Sequence, residues 1–141
     1  QVLKWRRGYA IRPPALEADD PQHPSQDPKY SGIARLPDTE SLADTLERVT
    51  KWWEERLAPE LKADRRVLVV AHGNSLRAMV KFLQGLSEDE IMQYNIPTGI
   101  PLVFRLNDAL EVVDHEYLAD EAALSAAVSE VKNQASSQSE R

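Results

Sequence analysis

Cysteine is absent from the 141-residue sequence, which excludes disulfides, thiol catalysis and cysteine-ligated zinc. Only five glycines are present, and none belongs to a glycine-rich phosphate loop or a dinucleotide-binding fingerprint. No apolar run approaches the length of a membrane span, and the chain does not open on a charged segment followed by an apolar stretch. These absences predict a protein with no membrane partner and no secretion signal, in a reducing compartment such as the cytoplasm.

The charge is acidic overall but unevenly distributed. There are 23 acidic and 17 basic residues, for a formal charge of -6, which disfavours nucleic acid or an anionic membrane as a partner. Residues 1–12 contain no acid and four basic residues, Lys4, Arg6, Arg7 and Arg12. This basic opening predicts that an anion is handled there. The chain begins inside a helical pattern without a capping residue, so we expect it to be part of a longer protein.

The first half of the chain divides into a loop and a helix. Six of the nine prolines fall between residues 13 and 37, which predicts a long loop that serves as a lid or an edge excursion. After it, apolar residues recur at helical spacing and predict a helix from about Glu40 to Leu57. Three residues ahead of that stripe, Asp38, Thr39 and Ser41, are candidate caps.

The second half predicts alternating strands and helices. The apolar run 67–71 is typical of a strand buried in a parallel sheet, and a helix follows over 76–84, with Ser75 as its cap and Gly85 as its stop. A capping box of Ser87 and Glu90 predicts a short helix to about Tyr94. Strands over 102–106 and 111–117 form a predicted hairpin, and 120–131 a last helix. We expect one domain over 1–132 and a mobile tail over 133–141, with the remaining strands of the sheet upstream.

His72 is the strongest candidate for chemistry because it stands where the predicted strand gives way to a helix. Open α/β sheets bind ligands beyond the carboxyl ends of their strands. Gly73 allows close approach to the backbone, and the amides of Gly73, Asn74 and Ser75 stand at a helix N-terminus, which favours an anion. The alternative is a buried histidine bonded to a neighbouring loop, and position alone leaves both open.

The remaining candidates are weaker. Arg6 and Arg7 suit a phosphate or carboxylate by bidentate bonding, although surface arginines are usually only solvated. His23 lies in the proline-rich loop and is expected to be solvated, and His115 lies on the last strand. The three histidines have no metal-ligand spacing, so no metal is expected.

Four segments resemble cofactor-dependent phosphoglycerate mutase, of the histidine phosphatase superfamily. They are KWRRGYAIRPP, LPDTESLADTLERV, VLVVAHGNSLRAMVKFL and NIPTGIPLVF, and the similarity runs from about Lys4 to the tail. The resemblance implies a three-layer α/β/α sandwich, incomplete here because the N-terminal strands are absent. It also implies interconversion of 3-phosphoglycerate and 2-phosphoglycerate, in glycolysis and gluconeogenesis, through a phosphohistidine primed by 2,3-bisphosphoglycerate. A cytoplasmic homodimer or homotetramer acting on a small phosphorylated substrate is implied as well.

The resemblance also assigns roles residue by residue. His72 matches the second active-site histidine, which steadies the transferring phosphoryl group, and Gly73 and Asn74 match its ligand-binding neighbours. Arg6 and Arg7 match the arginine pair that clamps the substrate. The family's nucleophile lies in an Arg-His-Gly motif, which this sequence lacks. We therefore expect the 141 residues alone to be inactive as a mutase.

Two other functions stay open. A phosphatase of the same superfamily would let water discharge the phosphohistidine, although the arginine pair argues against it. A noncatalytic anion-binding module would need no nucleophile.

Overall fold

The computed structural model describes residues 1–136 and has mixed α/β architecture. A π-helical turn, Trp53–Leu57, joins α2 to α3. The helices are α1 Val2–Arg7, α2 Leu42–Trp52, α3 Ala58–Lys62, α4 Gly73–Gln84, α5 Glu88–Gln93 and α6 Glu121–Ser136, and the strands are β1 Leu102–Leu106 and β2 Val112–Tyr117. None of the described helices is both long and apolar enough to cross a membrane.

The predicted helix over 40–57 is confirmed, and it begins with a reciprocal cap. Ser41 Oγ accepts a bond from the Asp44 amide, while Asp44 Oδ2 accepts one from the Ser41 amide at 2.8 Å. Ser41 is therefore the cap among the three candidates, because the capping box satisfies two amides that a helix start leaves without partners. The helical path then runs through the π-helical turn and α3 to Lys62, five residues beyond the predicted end.

The core lies between α2 and α4 in two apolar clusters. One cluster centres on Leu42, Ala78 and Ile91, and the other on Trp53, Leu57 and Met79. Each cluster combines residues of the α2 to π-turn segment with residues of α4, since the apolar stripe of each segment faces the other. This packing fixes where the N-terminus of α4 lies against α2.

The prediction of a buried strand over 67–71 is wrong for the structure described here. The segment forms neither a helix nor a strand and pairs with neither described strand, and Leu68 and Val70 are 83% and 86% exposed. Val69 alone packs against the second cluster. A strand needs a neighbour to satisfy its backbone and cover its faces, and β1 and β2 pair only with each other.

The helix after this segment begins three residues earlier than predicted. Its N-cap is His72, so the assignment of Ser75 as the cap is wrong, and Ser75 instead lies in the first turn. Gly85 ends the helix with a φ of 63°, as predicted, because this left-handed conformation suits glycine. The capping box of Ser87 and Glu90 at the start of α5 is confirmed.

The predicted hairpin is confirmed as an antiparallel pair, with Leu102 opposite Tyr117 and a bulge at Arg105/Leu106. The last helix extends to Ser136, beyond its predicted end at 131. The part of the predicted tail over 137–141 lies outside the described residues.

The proline-rich segment is a loop, as predicted, with two short 3-10 turns at Pro24–Gln26 and Pro28–Tyr30. The expectation that His23 is solvated is wrong, since the residue is only 6% exposed. Its Nδ1 accepts a bond from the Ser25 amide at 3.1 Å, and its Nε2 lies 3.0 Å from Asp38 Oδ1. These contacts tie the loop to the segment that enters α2.

Candidate anion-binding site

A cleft of about 520 Å³ lies where α1, the start of α2 and the N-terminus of α4 meet. Its charged and polar lining consists of Arg6, Glu40, Ser41, Thr45, Arg48, His72, Asn74, Ser75 and Arg77. Three arginines and one glutamate give this lining a formal charge of +2 with histidine neutral. The cleft is therefore positive within a chain of net charge -6.

The N-terminus of α4 forms one wall of the cleft. His72 occupies the N-cap position and is exposed, and its side chain does not cap the helix. The first-turn amides of Gly73, Asn74 and Ser75 have no acceptor within the helix. A helix N-terminus with uncapped amides favours an anion, because the amides donate and the helix dipole is positive there.

The end of α1 brings Arg6 to the same cleft. Gly8, which follows α1, is buried, and a Cβ there would stand 2.5 Å from the Lys4 carbonyl oxygen. A side chain at this position would clash with that oxygen, so only glycine fits directly after α1. The next residue, Tyr9, accepts a bond from the Ala43 amide at 3.0 Å, which fixes α1 against the start of α2.

The structure places the two adjacent arginines differently. Arg6 lines the cleft, whereas Arg7 is half-buried and its Nη1 donates to Asn95 Oδ1 at 2.7 Å. Neither Arg7 nor Gly73 is among the residues that line the cleft. Of the five predicted site residues, the structure thus brings Arg6, His72 and Asn74 together. The roles assigned to all five stay predictions.

The α2 wall contributes an ion pair that the sequence did not suggest. Arg48 and Glu40 both line the cleft and bond to each other through two contacts. Glu40 is the only carboxylate that residues 1–136 contribute to the lining, and Arg48 engages it. It therefore opposes an incoming anion less than a lone carboxylate would.

Arg77 is the site residue that the sequence interpretation missed. It is only 6% exposed, and it donates to Asn74 Oδ1 at 3.3 Å and to the Ile91 carbonyl oxygen at 2.7 Å. Its Nε is buried without a partner in the described part of the chain. Burial lowers the pKa of the Arg77 guanidinium, and the charge of Arg7 lowers this pKa further. One signal in the sequence could have found it, namely its spacing three residues after Asn74 on one helix.

The other histidine of the second half lies away from the cleft. His115 is exposed on β2 and stacks on Phe104, with ring centroids 5.4 Å apart. Over residues 1–136, no group of three or more His, Asp or Glu side chains is placed to hold a metal ion.

Comparison with known protein families places part of the chain in a family. The model of the histidine phosphatase superfamily (branch 1) matches residues 11–114, more than half of the chain. The matched range includes His72, Asn74 and Arg77, whereas Arg6 and Arg7 precede it.

Proposed function

The chain belongs to the histidine phosphatase superfamily, and from this premise we propose that it forms the phosphoglycerate-binding half of a cofactor-dependent phosphoglycerate mutase. The intact enzyme would interconvert 3-phosphoglycerate and 2-phosphoglycerate, with 2,3-bisphosphoglycerate as phosphoryl primer and no metal. The observation that carries the proposal is the convergence of Arg6, His72 and Asn74 on one positive cleft at the N-terminus of α4.

Each residue has a role suited to its chemistry. His72, beside the uncapped amides, contacts the phosphoryl oxygens and stabilises the charge that develops on them. Asn74 donates from its side-chain amide, and Arg6 pairs with the substrate carboxylate or phosphate. Arg7 is the proposed second arm of the clamp. Its guanidinium has five N–H donors, of which the contact with Asn95 uses one, so donors remain for a substrate.

The rest of the proposal concerns the intact enzyme. It would complete a three-layer α/β/α sandwich, act in the cytoplasm and assemble as a homodimer or homotetramer. The nucleophile would be the histidine of an Arg-His-Gly motif, and this sequence contains none. The 141-residue chain is therefore expected to bind 3-phosphoglycerate without isomerising it.

Titration calorimetry of the 141-residue chain with 3-phosphoglycerate tests the proposal. We expect saturable binding that weakens by an order of magnitude or more in Arg6→Ala and His72→Ala, since each variant removes a charge-assisted or polar contact. Arg105→Ala is the control, because Arg105 is an exposed cation on β1 that pairs with Asp114 away from the cleft. Glycerate, which lacks the phosphate, should bind much more weakly.

Three outcomes would contradict the proposal. Absence of 3-phosphoglycerate binding would remove the substrate site. Equal affinity for inorganic phosphate would favour a general anion-binding module. Isomerisation by the purified chain would show that the expected nucleophile is not needed.

The phosphatase alternative is favoured by one observation, the contact of Arg7 with Asn95. With Arg7 held there, only one arginine of the pair lines the cleft, and a phosphatase does not have to retain the dephosphorylated product. Comparing phosphate release with isomerisation in the intact protein separates the two. Release that exceeds isomerisation, and that is unchanged in Arg7→Ala, would favour the phosphatase.

A further inference from the structure

Arg77 is a buried cation whose two hydrogen-bond partners, in the described part of the chain, are neutral. They are Asn74 Oδ1 and the Ile91 carbonyl oxygen. Buried charges are normally paired with an opposite charge, because burial without one is costly. Stability alone therefore does not explain a buried cation at this position. Arg77 lines the cleft, which points to a role in ligand binding.

The contact with Asn74 determines which end of the Asn74 side chain is available. A carboxamide has a carbonyl oxygen that accepts and an NH₂ group that donates. Because Arg77 Nη1 donates to Oδ1, the oxygen is engaged on the protein side. The NH₂ group is left for the cleft, where an anion can accept its bonds. Without Arg77, the carboxamide could turn and present its oxygen, which repels an anion.

The contact with Ile91 fixes Arg77 itself. Ile91 is fully buried on α5, and its carbonyl oxygen accepts from Arg77 Nη2 at 2.7 Å. The guanidinium therefore joins α4 to α5. Its Nε is enclosed, and its Nη1 and Nη2 both bond to protein oxygens. The contact with Asn74 is therefore the route by which Arg77 can influence a ligand.

We propose that Arg77 is a positioning residue: by bonding to the Asn74 carbonyl oxygen, it holds the Asn74 NH₂ group toward the cleft as a donor to a phosphorylated hydroxy acid. The ligand class rests on the proposed function. The orientation of Asn74 does not, which allows the two to be tested separately.

The first test is NMR of the side-chain amide of Asn74 in the ligand-free chain. The signal is assigned by its loss in Asn74→Ala. We expect Arg77→Met to shift this pair of resonances, and Arg77→Lys, which keeps a donor on a long side chain, to shift it less. Gln84→Met is the matched control, since Gln84 lies on the same helix, also has a buried polar atom without a partner, and does not line the cleft. An unchanged Asn74 signal in Arg77→Met would overturn the proposal.

The second test is a double-mutant cycle on the affinity for 3-phosphoglycerate. Asn74→Ala and Arg77→Met should each weaken binding about tenfold, as expected for one lost hydrogen bond to a charged group. If Arg77 acts through Asn74, the double variant should also be weakened about tenfold, whereas independent effects would multiply to about a hundredfold. A hundredfold loss would overturn the proposal, as would wild-type affinity in Arg77→Met.

A purely structural role gives a different pattern. It would lower the thermal midpoint of Arg77→Met without coupling to Asn74, and that result counts against the proposal. If the unsubstituted chain does not bind 3-phosphoglycerate, the proposed function fails. The NMR test then decides the Arg77–Asn74 proposal by itself.

Discussion

Replacement of Ile91 by alanine tests the packing that supports the cleft. Ile91 is fully buried in the cluster it shares with Leu42 of α2 and Ala78 of α4. An isoleucine truncated to alanine in such a site costs about 2–5 kcal/mol, from lost apolar burial and the cavity left behind. At about 3 °C per kcal/mol for a chain of this size, a loss near 3 kcal/mol lowers the thermal midpoint by roughly 10 °C.

The measurement is urea unfolding followed by far-ultraviolet circular dichroism. The m-value should stay constant while the urea concentration at the unfolding midpoint falls, since only the native packing changes. Val113→Ala on β2 is the control, because Val113 is 69% exposed and surface substitutions usually change stability by less than about 0.5 kcal/mol. A loss of less than about 1 kcal/mol in Ile91→Ala would refute the packing of α5 against α2 and α4. The substitution leaves in place the Ile91 carbonyl oxygen to which Arg77 donates. At temperatures well below the thermal midpoint, the affinity for 3-phosphoglycerate should therefore be unchanged.

Three further predictions concern the cap of α2 and the half-buried phenol of Tyr117. Ser41→Ala removes the acceptor for the Asp44 amide and should lower the free energy of unfolding, measured in urea, by about 1 kcal/mol. Ser41→Asn can still cap the helix and should keep most of the wild-type stability. Equal losses of stability in the two variants would count against the cap. Hydrogen bonds from Arg12 and then from Ser41 hold the pKa of Asp44 well below its usual range. A carboxyl whose folded-state pKa is depressed contributes stability that is present above its unfolded-state value, near about 4, and lost as the pH falls below that value. Stability should therefore decline between about pH 5 and pH 2, and less steeply in Asp44→Asn; parallel pH profiles would contradict this. Burial, and then the bond with Tyr94, raises the pKa of Tyr117 above its usual value, so absorbance titration should show one phenol that ionises after the others and that is lost in Tyr117→Phe.

Features set by nearby residues were predictable from the sequence. The apolar stripe of α2 and its continuation was found because helical spacing is a local property. The capping box of Ser87 and Glu90 and the glycine stop at Gly85 were found for the same reason, since each depends on groups within one helical turn. The antiparallel hairpin also follows from a short connection between two strands.

Features set by distant partners were not predictable. The run 67–71 has the composition of a central strand, yet strand pairing requires another segment, and in the described part of the chain none pairs with it. Composition shows that a segment can form a buried strand if other segments pack against it. Whether it is covered depends on residues far away in the sequence, and here Leu68 and Val70 are largely exposed.

Two buried polar residues were missed because residue type is a poor guide to burial. His23 was expected in solvent, yet contacts with Ser25 and Asp38 satisfy both ring nitrogens and offset the cost of removing them from water. Arginine is rarely buried without a charged partner, and the apolar positions of α4 are enough to predict its packing, so the sequence gives no sign that Arg77 is buried. The compensating contact that could be expected from spacing is the one with Asn74, three residues away.

The cations that line the cleft are mostly not the ones that are clustered in the sequence. Residues 1–12 contain four cations, but only Arg6 lines the cleft, while Arg7 bonds to Asn95 and Arg12 pairs with Asp44 at the start of α2. The other cations of the lining, Arg48 and Arg77, come from α2 and α4. The basic opening therefore serves partly to dock its own segment, and the packing of α2 on α4 determines which arginines line the cleft.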